Sequence, residues 1–201
     1  MSRAGMTLLE LVVALAITGA ALAAGYGAFA GVVDRREALT AATDHVARAD
    51  GVRRLLRDWL RSARVGLGSE GPDFRGLDGT AGAAADDELT FTTDAVTPLG
   101  GVAALVRVFV DRDPRTPERG LTATLAEWGG TAALRIELAP DVDGFDVRYA
   151  SRVFGGIRWL PSWISRSVLP GAVEITLHPA ASDTLPALLA LPTIVLVGDG
   201  R

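Results

Sequence analysis

Residues 11–33 read LVVALAITGAALAAGYGAFAGVV, a stretch of 23 residues without a charged side chain. As an α-helix with a rise of about 1.5 Å per residue, this stretch would extend about 35 Å, which is enough to cross the hydrocarbon core of a bilayer. It also explains why mean hydropathy reaches +0.28. The stretch predicts a membrane-spanning helix near the N-terminus.

Few charges precede this helix. Arg3 is the only charged side chain before Glu10, which weakly favours an N-terminus on the cytoplasmic side, although Arg35 and Arg36 follow the helix. Glu10 itself lies one residue before the uncharged stretch. A carboxylate costs roughly 2.5 to 3.5 kcal/mol at the centre of a membrane helix and less near its end. The sequence therefore predicts a partner for Glu10, and the acid argues against an ordinary secretory signal.

The hexapeptide Gly5-Met6-Thr7-Leu8-Leu9-Glu10 resembles the prepilin peptidase signal of type IV pilins and type II secretion pseudopilins. The resemblance implies that residues 1–5 are a leader removed by cleavage after Gly5, and that Met6 becomes the N-methylated first residue. Met6 stands where the family usually has Phe. The resemblance also implies that Glu10 serves subunit assembly by meeting the amino terminus of a neighbouring subunit.

Charges return after residue 33, and apolar residues then recur at steps of three and four from Leu39 to Ala63. This spacing predicts an amphipathic half of the same helix over residues 34–65, following a membrane half over residues 6–33. The continuous helix would run from about Met6 to Arg64. Its outer part is expected to pack on a domain.

Residues 66–88 are rich in glycine and lack periodicity, so they are predicted to be a linker, with Asp86 to Glu88 as a solvated loop. The remaining residues, 89–201, alternate apolar and polar side chains in several short segments, as antiparallel strands with one wet face do. The fold class is therefore predicted as α+β, with a long N-terminal helix packed on a mainly antiparallel β domain. The alternating segments predicted as strands are 89–92, 105–110, 121–125, 134–138, 145–149 and 173–177, and a short apolar stretch, 192–197, is predicted as a final strand.

The β region resembles that of the J-type minor pseudopilins of type II secretion, whose fold is pilin-like. Three parts carry the resemblance: Leu89–Thr92 with Leu105–Val108, then Val142–Trp163 with Trp159 and Trp163, then Leu169–Leu177. The Arg that this family commonly places after the first strand is Thr93.

This second resemblance implies a minor pseudopilin in a tip complex that initiates the pseudopilus and supports export of folded periplasmic proteins. The implied partners are I-, K- and H-type minor pseudopilins, the major pseudopilin, the prepilin peptidase and the inner membrane. The chain would be single-pass, with its C-terminal domain in the periplasm. A minor pilin of a type IV pilus, serving adhesion or DNA uptake, and a membrane-tethered periplasmic binding domain or enzyme are the alternatives.

Other chemistry has little material in this sequence. A net charge of -4 argues against nucleic acid as a partner. Without cysteine, and with only His45 and His178, a zinc site or a His-based triad is not expected. Asp141, Asp143 and Asp146 suggest either calcium or, more simply, a turn between strands. We expect no enzyme activity, no cofactor and no metal.

Overall fold

The computed structural model of the 201-residue chain describes residues 8–65, 74–82, 84–101, 103–127, 130, 132–180 and 190–198. Contacts divide the chain into two compact units, residues 1–44 and residues 45–201, and each unit is considered by itself.

Helix α1 comprises Leu8–Arg61. In the first unit its sequence is dominated by alanine and leucine, which are strong helix formers, and it contains no proline. Over Leu8–Gly27 the mean hydropathy is 2.1, and no part of this segment is buried. The prediction of an N-terminal apolar helix is confirmed.

In the second unit, the last turns of α1 pack on a β domain. Ala49, Val52, Leu56, Trp59 and Leu60 are buried in the hydrophobic core, and their spacing of three and four residues places them on one face of the helix. The helix ends at Arg61, earlier than the predicted boundary near residue 65, because Ala63–Arg64 forms the first strand, β1.

Thirteen strands lie in the part of this unit that the structure describes. They are β1 Ala63–Arg64, β2 Phe74–Leu77, β3 Thr80–Ala81, β4 Ala84–Ala85, β5 Glu88–Thr93, β6 Ala104–Asp111, β7 Gly120–Glu127, β8 Ala133–Ala139, β9 Val142–Val153, β10 Gly156–Leu160, β11 Trp163–Ser165, β12 Ala172–Pro179 and β13 Thr193–Leu196.

These strands form a larger sheet of order β11-β2-β5-β6-β7-β8, a second sheet of order β10-β9-β12-β13, and the small pair β3-β4. β1 joins the larger sheet beside β5, next to β2 along the same edge. All these strand pairings are antiparallel. One core cluster draws on α1 and on both larger sheets. The predicted α+β class, with a helix packed on a mainly antiparallel β domain, is confirmed.

The predicted linker over residues 66–88 is wrong where the structure describes it, because β2, β3 and β4 lie inside it. The reason is packing. Phe74 is fully buried, and its ring centroid lies 5.9 Å from that of Phe91 and 6.2 Å from that of Tyr149. Gly76 leaves room for the Tyr149 ring, since a Cβ atom at position 76 would lie 1.8 Å from the tyrosine oxygen. A glycine within a strand can mark a place where another group packs closely. Composition alone does not separate such a glycine from one in a loop.

Candidate functional site

The first unit carries its apolar side chains on the outside. A helix that is apolar all round is typical of a position inside a large protein or a membrane, and this one is not buried by the chain itself. By length and composition the segment Leu8–Gly27 can cross a bilayer, which is consistent with a single-pass membrane anchor. The exposed large apolar residues are Leu8, Leu9, Leu11, Val12, Val13, Leu15, Ile17, Leu22, Tyr26 and Phe29.

A polar side chain within this segment has its hydrogen bond satisfied inside the helix. The Thr18 hydroxyl donates to the carbonyl oxygen of Ala14 at 2.8 Å. Because a hydroxyl in hydrocarbon needs a partner, this bond from residue i to residue i−4 makes threonine compatible with lipid at this depth.

Glu10 is the only charged residue from Leu8 to Val33. It lies in the first described turn of α1, and its side chain is exposed. Side chains three and four residues further along share its helix face, and these are Val13 and Ala14. The carboxylate is thus part of an apolar surface.

The sequence also predicts Gly5 as the cleavage position and Met6 as the methylated residue. Both lie outside the described residues, so processing at Gly5, methylation of Met6 and the assembly role of Glu10 stay predictions.

The end of α1 is joined to the sheets by hydrogen bonds. The last backbone carbonyls of a helix have no partners within the helix, and here they accept hydrogen bonds from the β domain. The Thr93 hydroxyl donates to the carbonyl oxygen of Trp59 at 2.7 Å. The backbone N–H of Gly198 donates to Leu60 at 3.3 Å, and that of Asp94 donates to Ser62 at 3.1 Å. The helix end is therefore fixed by hydrogen bonds as well as by its apolar face.

Asp87 corrects the prediction of a solvated loop, because its side chain is only 4% exposed. Its carboxylate accepts hydrogen bonds from the backbone N–H groups of Val147 at 2.7 Å and Gly79 at 2.9 Å. Burial raises the pKa of Asp87 above its ordinary range, and the two N–H donors oppose this shift. The carboxylate joins β9 to the turn before β3, which is a structural task.

Other acids near the start of β5 and the end of β6 form ion pairs. Arg112 binds the carboxylates of Asp86 and Asp143, and Arg135 binds that of Asp111. Burial alone would raise the pKa of Asp111, but the Asp113 N–H, the Thr116 hydroxyl and Arg135 together lower it. These contacts connect the end of β6 to β8, to β9 and to the segment before β5.

The three acids considered for calcium do not all lie in a turn. The chain turns at Pro140 and Asp141 between β8 and β9, whereas Asp143 and Asp146 lie within β9, and Asp143 contacts Arg112. Among the described residues, no group of three or more histidine, cysteine or acidic side chains is placed to hold a metal ion.

The two tryptophans singled out by the sequence are both half-buried. The Trp163 indole N–H donates to the carbonyl oxygen of Val168 at 3.1 Å. Trp163 also lines an open cleft of about 470 Å³ together with Arg152 and Leu169. No sequence pattern indicated this cleft, because its walls come from β9, β11, β13 and the β11–β12 loop and meet only in the folded domain.

Comparison with known proteins bears on the N-terminus. Residues 1–26 match the family model described as the prokaryotic N-terminal methylation motif, which is of the prepilin type. The match covers about an eighth of the chain. The chain matches no curated protein. The predicted prepilin-type N-terminus is confirmed, and it indicates a protein of the type II secretion pseudopilin or type IV pilin kind.

Proposed function

We propose that this prepilin-type protein is a J-type minor pseudopilin of a type II secretion system. In this role it joins I-, K- and H-type minor pseudopilins in a tip complex that starts assembly of the major pseudopilin. The filament then supports export of folded periplasmic proteins. The chain acts as an assembly subunit without catalytic activity.

One coincidence carries the proposal. The methylation motif of residues 1–26, the unburied apolar segment Leu8–Gly27 and a lone acid, Glu10, occupy the same part of the chain. A plain membrane anchor needs neither a processing motif nor an acid. A subunit that must recognise its neighbour within lipid has a use for both.

The physical basis is the cost of charge in hydrocarbon. An isolated carboxylate is expensive at membrane depth, and so is an isolated ammonium group. Cleavage after Gly5 by the prepilin peptidase creates a new amino terminus at Met6, and Glu10 becomes the fifth residue of the mature chain. Pairing Glu10 of one subunit with the amino group of the next offsets both costs, and it sets the register between neighbouring helices.

The proposal also implies a location for each part of the chain. The leader lies in the cytoplasm, the anchor crosses the inner membrane once, and the β domain lies in the periplasm. The J-type assignment rests on the strand motifs of residues 89–177 and on the fold class that they share with pilin-like domains.

Processing is tested with Gly5→Leu. The bulky side chain should block the peptidase, so mass spectrometry of the membrane fraction should find a chain that is inserted yet still begins at Met1. A wild-type product that begins at Met6 with an N-methyl group is the expected reference. A wild-type chain that keeps residues 1–5 would contradict the proposal.

Assembly is tested with Glu10→Val and its matched control Glu10→Asp. The valine variant should insert normally but fail to co-purify with sheared filaments, whereas the aspartate variant should retain part of this incorporation. Equal incorporation of Glu10→Val and wild type would remove the registration role from Glu10.

The choice between secretion and pilus is tested by deleting the gene. Loss of secreted enzymes with intact pili supports the pseudopilin, whereas loss of pili or of DNA uptake with normal secretion supports the minor pilin. Co-purification of the full chain with I-, K- and H-type subunits sharpens the result. Neighbouring genes for a secretin and an inner-membrane secretion platform provide a further check.

A further inference from the structure

The hairpin of β9 and β10 exposes large apolar side chains at its end. Phe154 lies in the turn and has a relative exposure of 110%, and Ile157 on β10 is 67% exposed. Gly155 has a φ of 98°, a conformation that favours glycine, and a Cβ atom there would meet no other atom within 4 Å. The tip is therefore a tight turn that projects from the sheet.

Positive charge surrounds this tip. Residues 147–173 contain four arginines and no acid, in a chain whose net charge is -4. Arg148 forms an ion pair with Glu174 at 3.0 Å. Within the described residues, neither Arg152 nor Arg158 has a carboxylate partner, and both are exposed.

The two arginines lie on opposite faces of the hairpin. Arg152 is opposite Ile157 in the β9–β10 register, and Arg158 is opposite Ser151, one position further from the turn. Neighbouring positions of a strand point to opposite faces. At about 3.3 Å per residue, Arg152 and Ser151 lie roughly 7 to 10 Å behind Phe154 along β9.

We propose that the tip formed by Arg152, Phe154, Ile157 and Arg158 inserts into the surface of an anionic phospholipid bilayer. A side chain buried about 5 to 10 Å into a bilayer surface reaches the boundary between headgroups and acyl chains. With Phe154 at that depth, both arginines lie at the level of the lipid phosphates, which they attract electrostatically.

Two features favour lipid over a protein partner. Phe154 lies at the end of a narrow hairpin, and Arg152 and Arg158 lie on its two opposite faces, so the apolar and cationic side chains do not form one continuous face. Lipid also needs no complementary shape to bury a projecting phenylalanine. The inference does not rest on the secretion role, since a binding domain of any prepilin-type protein could carry this surface.

The test separates the hairpin from the membrane anchor. The full chain is held by its anchor in a phosphatidylcholine nanodisc, and protein-free vesicles are then added. Because the chain has no cysteine, Phe154→Cys provides a single position for an environment-sensitive fluorophore. Vesicles containing phosphatidylglycerol should shift its emission to shorter wavelength, and brominated lipid in them should quench it. Vesicles of phosphatidylcholine alone should do neither.

Unlabelled variants measure the contributions to vesicle affinity by flotation. Arg152→Gln with Arg158→Gln should weaken binding about 25-fold, at about fivefold per charge. Phe154→Ser should weaken it about tenfold or more. The matched controls Arg115→Gln with Arg119→Gln, and Leu134→Ser, change exposed residues elsewhere in the domain and should bind like wild type. A fluorophore that responds equally to both lipids, or controls that weaken binding as much, would overturn the proposal.

Discussion

The two units of this chain use apolar side chains in opposite ways. The helix segment Leu8–Gly27 keeps its apolar residues on the outside, whereas the β domain encloses a core of apolar residues between α1 and the sheets. The second arrangement is complete within one chain. The first leaves an apolar surface that a membrane or neighbouring helices must cover.

Two acids, one in each unit, lie in different surroundings. Asp87 is buried in the β domain and receives two backbone N–H donors from its own chain. Glu10 lies on an exposed apolar helix surface. A carboxylate in a low-dielectric setting needs donors or a counter-charge, and the proposal for Glu10 is that the counter-charge comes from another subunit.

The largest effect is expected from Trp59→Ala, which empties part of the enclosed core. Trp59 is fully buried, and such a truncation costs about 3 to 5 kcal/mol of unfolding free energy. Chemical denaturation of the full chain in mild detergent, followed by circular dichroism of the sheets, measures it. Leu15→Ala, on the exposed helix surface, is the matched control and should leave the value unchanged. A comparable loss for Leu15→Ala would break the contrast between the units.

A smaller loss is expected from Gly76→Ala. The added methyl group collides with Tyr149, and overpacking of this kind costs about 1 to 3 kcal/mol. Gly51→Ala is the control, because Gly51 lies in helix α1 with open space around it. That change should instead stabilise the helix by about 0.5 to 1 kcal/mol. Two losses of equal size would refute the packing argument for Gly76.

The two buried acids of the β domain should shift the pH dependence of stability in opposite directions. The pKa of Asp87 is raised from its ordinary 3.8. Its contribution to the stability of the fold is therefore full below pH 3.8 and is lost as pH rises through the raised pKa. The pKa of Asp111 is lowered from 3.8, so its contribution is full above that value and is lost as pH falls through the lowered pKa.

Denaturation across acidic pH measures these contributions. Asp87→Asn should remove a decline in the free energy of unfolding that accompanies rising pH. Asp111→Asn should remove a loss of unfolding free energy at the acid end of the range. The two variants serve as controls for each other, and identical profiles would refute the assignment.

The smallest effect is expected from Tyr149→Phe. The Tyr149 hydroxyl is buried and has no hydrogen-bond partner among the described residues, and burial raises the pKa of this phenol. Since an unsatisfied buried hydroxyl carries a desolvation cost, its removal should be neutral or stabilise the domain by up to about 1 kcal/mol. A decrease in the free energy of unfolding would instead indicate that the hydroxyl has a hydrogen-bond partner.

The sequence predicted what depends on local periodicity. The apolar helix, the face from Ala49 to Leu60, the six strands of alternating pattern and the final apolar strand all appear in the structure. The β2 strand was missed because its glycine is set by a tyrosine more than 70 positions later. Asp87 was placed in solvent because its donors come from β9 and from the turn before β3. Neither partner is visible from neighbouring residues.

The hydrogen bonds at the end of α1 have a mechanical consequence. Carbonyls of Trp59, Leu60 and Ser62 accept hydrogen bonds from Thr93 and Asp94, at the end of β5 in the larger sheet, and from Gly198, just after β13 in the second sheet. A twist or a pull on the helix end would load these three points at once, so the force would spread over both larger sheets. The β domain would then rotate together with the last turns of its helix.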